Sequence, residues 1–155
     1  MSKIILHIDS SYNHGYVKEI QLNQLSKAIC LEVYNCKLFP NVTIDEVNNI
    51  LPSDFGGQYK NNNIVIARGD SNGITMYYFF HEIRHFLQEN YCSSLYKYWS
   101  IYPGYFQYYD SIPIEVEAVE FGKECVHQSG QWRYPKGFEL LESLDRVARR
   151  SLPKY

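Results

Sequence analysis

No run of about eighteen uninterrupted apolar residues occurs in the 155-residue chain, so no membrane-spanning helix is expected. An excess of either charge is also missing. The 15 Lys and Arg against 17 Asp and Glu give a formal net charge of −2, with no basic stripe for nucleic acid or for an anionic membrane surface. The opening Met1-Ser-Lys-Ile-Ile-Leu-His-Ile8 meets polar residues too soon for a secretory leader, which makes a cytoplasmic protein the expectation. Cys30, Cys36, Cys92 and Cys125 include no Cys-x-x-Cys pair. That argues against a zinc knuckle or a redox motif and leaves buried packing as their expected role, with disulfides open for an exported protein. Repeats and low-complexity tracts are absent too. A chain of this length without internal division predicts one domain over residues 1–155 with a sizeable core.

What the chain does contain is concentrated in Ile74–Asn90, where His81-Glu82-Ile83-Arg84-His85 sits inside a segment rich in apolar and aromatic residues. On an α-helix, residues four apart lie about 40° apart around the axis, so His81 and His85 present two imidazoles to one point. That point can hold a metal. Glu82, roughly 60° from His85, borders the site without standing on the ligand line, where a general base belongs. Zn²⁺ held by two His and one carboxylate keeps a fourth position for water and lowers the pKa of that water to about 7. The competing reading is a core helix whose histidines only bond backbone carbonyls. It fits less well, because two histidines and a carboxylate in so apolar a setting are costly unless paired or coordinated.

A third protein ligand is sought in Ser111–Val126, where Pro113 suits a first helical turn. Projection at about 100° per residue puts Glu117, Glu120 and Glu124 on one face, the expected solvated side. Glu115 falls on the other, in a stripe with Ala118, Val119, Gly122 and Val126. A lone carboxylate among apolar and small residues makes Glu115 the expected third ligand, and Glu117 the alternative if the helix starts in a different register. The competing role for Glu115 is an acid favoured by the helix dipole.

With these residues in place, the chain resembles the gluzincin class of zinc metallopeptidases. The likeness rests on His81-Glu82-Ile83-Arg84-His85 followed by Pro113-Ile114-Glu115-Val116-Glu117-Ala118, and covers roughly residues 62–126. Small single-domain gluzincins, and metallopeptidase-like proteins of bacteria and their mobile elements, are the nearest kin it suggests. The resemblance implies Zn²⁺ on His81, His85 and Glu115, Glu82 as general base, and a peptide or protein substrate. It also implies that residues 63–68, the strand before the His helix, form the upper edge of a substrate cleft; an ordinary internal strand is the equal alternative. One position departs. Many gluzincins orient a ligand His with an Asp or Asn four residues after the ligand Glu, and here that residue is Val119, so another group must supply the contact.

The remaining segments predict a strand over residues 3–9, a helix from Tyr16 to about Tyr34 whose end could instead be a strand from Cys30, and a short helix from a Thr43–Glu46 capping box to Leu51. Residues 52–60, with Gly56-Gly57, read as a loop. Asn63–Gly69 reads as a strand, Asp70–Gly73 as turn and N-cap, and Gly137–Arg150 as a last helix. The tyrosine-rich stretch from Tyr91 to Asp110 suits a packing layer or a substrate wall, and Tyr108 and Tyr109 are the candidates for transition-state contact. The expected architecture is an α+β, zincin-like domain with a short sheet beside two ligand-bearing helices. The expected activity is zinc-dependent peptide hydrolysis; the alternative is a catalytically inactive zincin-fold binding or regulatory protein.

Overall fold

A computed structural model describes residues 17–47, 49–52, 54–94, 96–97 and 112–127. The expected strand at residues 3–9, Tyr108, Tyr109 and the helix at 137–150 lie outside the described residues. The described chain is α+β. Helix α1 (Glu19–Lys27) runs on into a π-helical segment, Ala28–Val33, and is followed by strands β1 (Asn41–Asp45), β2 (Gly57–Lys60) and β3 (Asn63–Ala67). Helices α2 (Asn72–Tyr91) and α3 (Pro113–His127) complete it.

The sheet has the order β1-β3-β2, with β1 parallel and β2 antiparallel to β3. Of the two readings open for residues 63–68, cleft edge or internal strand, the structure has the internal one: β3 is the central strand, paired on both sides. Its near-continuous apolar run Ile64-Val65-Ile66 is the pattern of an interior strand rather than an open edge. Two expectations change. Thr43 does not open a helix, because Val42, Thr43 and Ile44 are β-branched residues that pair in register with Ile64, Val65 and Ile66. The Asp45 carboxylate then accepts from the backbone N–H groups of Asn49, Ile50 and Leu51, folding the following turn around itself. The expected loop at 52–60 ends in a strand, since Asn61 and Asn62 take φ of 51° and 63° and close a two-residue hairpin between β2 and β3. Asn tolerates that left-handed conformation better than most side chains.

The outer edge of β1 is covered by polar side chains of α1. Asn23 donates to the Val42 carbonyl and accepts from the Val42 N–H, while Glu19 accepts from the Ile44 N–H. Those bonds remove β1 as a site for strand addition. The other edge of the sheet is β2, which among the described residues pairs only with β3.

One apolar core joins Leu22 and Ile29 with Val42 and Ile44 of β1, Ile64 and Ile66 of β3, and Phe79, Ile83 and Leu87 of α2. Each such side chain contributes about 1.5–3 kcal/mol on full burial. Helix α2 starts where its sequence predicts, with the Ser71 hydroxyl accepting from the Ile74 N–H at 3.2 Å. Pro113 occupies the first position of α3, and Ala118 and Gly122 are buried along it. A Cβ on Gly122 would lie 3.0 Å from Tyr77 Cε2. The small residues therefore let α3 approach α2 closely, as their stripe predicts. No helix among the described residues is long and apolar enough to cross a membrane.

A candidate metal centre between two helices

The regular twist of α2 sends two sets of side chains in different directions. Tyr78, Glu82 and Phe86, spaced by four, meet β2: Gly56 lies against Tyr78, Gly57 against Glu82, and the Tyr59 ring meets Phe86 edge-on at 6.0 Å. Tyr77, His81, Arg84, His85 and Gln88 meet α3 instead. The metal question concerns this second set.

His81 Nε2 and His85 Nε2 each lie 3.0 Å from Glu115 Oε1, with the two rings nearly perpendicular and 4.9 Å apart. One ligand atom from each of the three residues lies within 4.8 Å of the others, so the group could hold a metal ion. The donor set fits a cation. Two imidazole nitrogens aimed at one carboxylate oxygen in a dry pocket need positive charge among them, supplied by a proton or by a metal. His85 and Glu115 are buried, whereas the His81 side chain is 18% exposed, so the group opens toward solvent on the His81 side. His81 Nδ1 is buried and has no hydrogen-bond partner among the described residues.

Glu82 is 5% exposed and lies beside this group, with its carboxylate under β2. Burial raises its pKa; the neighbouring His85 and His81 pull the other way, and Glu115 adds to the rise. A carboxylate whose proton affinity is raised is a stronger base than one in water. Burial disfavours the charged form of His85, but the hydrogen bond and charge of Glu115 outweigh it and lift the pKa to about 9 without metal, with Glu82 and Gln88 adding.

Glu117 is not on the solvated face that the helical projection assigns it. It is 1% exposed and takes two hydrogen bonds from Arg84 Nε, at 2.7 and 3.1 Å to its two oxygens. The guanidinium also lies 4.1 Å over the Phe121 ring and reaches Tyr34 Oη at 3.4 Å. Burial lowers the Arg84 pKa, but Glu117 more than compensates and the net shift is upward. Glu117, the alternative candidate, is thus engaged in a buried ion pair, and Glu115, two positions back, is the acid grouped with His81 and His85. Glu120 and Glu124 are exposed as expected.

Three groups at the site escaped the sequence reading. Gln88, fully buried, accepts from His85 Nδ1 at 2.8 Å, which answers the vacancy left by Val119. Its signal is a polar residue three positions after a candidate ligand, directly behind the apolar pair Phe86-Leu87. Tyr77, one turn before His81, has its ring 6.1 Å from the His81 ring, and burial leads the causes that raise its pKa, keeping its hydroxyl protonated. Gly57 carries no signal beyond that of a Gly-Gly loop. Asp45, by contrast, is committed to its own turn and not to the centre.

Comparison with protein-family models, with curated proteins and with solved structures gives no match. The functional reading therefore rests on the side chains themselves.

Proposed function

We propose that this protein is a zinc-dependent metallopeptidase that hydrolyses peptide bonds. The observation that carries the reading is the convergence of His81, His85 and Glu115 on one point, with the Glu82 carboxylate beside it under a glycine. Zinc bound there would polarise the scissile carbonyl and lower the pKa of a water to about 7. Glu82 would be the group that accepts a proton from water and returns it to the departing amine, a role suited to a buried carboxylate with raised proton affinity. His85 is held through the buried bond of its Nδ1 to Gln88, which limits reorganisation during the reaction.

The sheet supports an extended peptide as substrate. Ala67 N–H donates to the Gly56 carbonyl, and antiparallel alternation then turns the main-chain groups of Gly57 and Tyr59 away from β3. They face the side of β2 that carries no strand among the described residues, where a bound chain would add as a further strand. Gly57 lies against Glu82, so a peptide aligned on this edge has its backbone beside the general base.

The deciding experiment is elemental analysis of protein purified without a metal-affinity tag, followed by a peptide-library assay. Near one zinc per chain, lost in His85→Ala, together with cleavage that disappears in Glu82→Gln, is the expected result. Zinc binding with no cleavage of any peptide would replace the peptidase by a metal-holding binding protein. Absence of zinc after reconstitution would overturn the metal centre itself.

A further inference from the structure

We infer that Gln88 is a positioning residue that presets His85 to offer Nε2 to a metal, and that it does so by reading the place of the Glu115-bearing turn. The inference rests on the metal reading above and extends it to residues outside the ligand set.

The amide orientation of Gln88 follows from its neighbours. Its Nε2 lies 3.0 Å from the Ile114 carbonyl oxygen and 3.0 Å from Glu117 Oε1. A carbonyl can only accept, and Glu117 Oε1 already accepts from Arg84 Nε at 2.7 Å. Both amide hydrogens of Gln88 are consequently directed at α3, and its oxygen is forced toward His85. That oxygen can only accept. The His85 nitrogen 2.8 Å away, Nδ1, must therefore carry a hydrogen. In the neutral ring the lone pair then resides on Nε2, the atom that faces Glu115 Oε1.

The same amide ties two ligands together. Ile114 directly precedes Glu115, and Glu117 follows it by two positions, so the bonds from Gln88 fix the first turn of α3 against α2 at the level of His85. Arg84, one residue before His85, holds Glu117 from the other side. All three members, Arg84, Gln88 and Glu117, are at most 2% exposed, so water does not compete for these bonds. The path His85–Gln88–Glu117–Arg84 does for this chain what a carboxylate hydrogen-bonded to a ligand imidazole does elsewhere, with an amide between the ring and the charge.

The test combines imidazole nitrogen NMR with zinc competition. Long-range ¹H–¹⁵N spectra of zinc-loaded, histidine-labelled protein should show His85 bound through Nε2 and retaining a slowly exchanging Nδ1–H. Gln88→Met, which keeps length but removes both bonding functions, should raise the zinc dissociation constant about 10–100-fold, read against a chelator, and speed exchange of that proton. Coordination of His85 through Nδ1 in the unmodified protein would overturn the role of Gln88 without any variant having to fold. So would zinc affinity of Gln88→Met within twofold of the parent. Both results leave the metal centre standing, whereas an unmodified chain that takes up no zinc overturns the centre and this inference together.

Discussion

Gly57 leaves no space for a side chain above Glu82: a Cβ built on it would fall 2.8 Å from Glu82 Cγ, 3.2 Å from Cδ and 3.3 Å from Oε2. The strand edge and the Glu82 carboxylate are thereby held in contact by the lack of a side chain. A substitution here must move either the strand or the carboxylate. Gly57→Ala is expected to lower turnover about 10–100-fold while leaving one zinc bound, because the metal ligands face α3 and Glu82 faces β2. Steady-state kinetics and zinc content measured on the same preparation check it, and unaltered turnover would remove Gly57 from the site.

Glu82→Gln keeps the volume of the side chain and removes its basicity. Turnover should fall about 10²–10⁴-fold with zinc retained. Folding stability should not fall with it. A buried carboxylate with a pKa raised chiefly by desolvation is an unfavourable group to fold around, and the amide lifts that cost. Thermal unfolding beside a kinetic assay separates the two effects; equal loss of zinc and activity would instead show Glu82 acting as a ligand.

The two helices of the centre were legible because helical periodicity is local. His81 and His85 share a face by their spacing, and Glu115 stands out as an acid in an apolar stripe, so their convergence follows once α2 and α3 are adjacent. What was not legible depends on contacts across the chain. Glu117 looks solvated on its own helix, and its burial becomes tolerable through Arg84 and Gln88 on the facing helix. The β2 strand was hidden because Gly56-Gly57 signals a loop and Asn61-Asn62 is a weaker hairpin mark than Asn-Gly. Thr43 began a plausible capping box, but pairing with Val65 on β3 overrode that local preference.

Arg84 and Glu117 predict a contrast with Glu115. Glu117→Ala leaves a guanidinium buried without its carboxylate and should cost about 3–5 kcal/mol of folding stability in the metal-free protein. Glu115→Ala removes the oxygen shared by His81 and His85, and its main effect should be loss of zinc. Denaturant unfolding and elemental analysis of both variants check the assignment. Near-normal zinc in Glu115→Ala together with loss in a folded Glu117→Ala would exchange the roles of the two acids.

The metal-free protein should lose stability as the solution becomes alkaline. His85 has a folded pKa raised to about 9, against about 6.5 for an unperturbed imidazole, so the folded state binds the proton more tightly. The stabilisation is complete below about pH 6.5 and disappears as pH rises through about 9, with a magnitude on the order of 3 kcal/mol. Zinc reverses the trend. Its binding needs a neutral His85, so the affinity of the protein for zinc should rise with pH over the same interval. Denaturant unfolding of metal-free protein from pH 6 to 10, beside His85→Gln to subtract the other groups that titrate there, isolates the effect. A slope that survives in His85→Gln would assign it to those other groups. A flat profile in the parent would mean that the folded protein holds no proton at this cluster beyond those the unfolded chain holds, which would remove the raised His85 pKa.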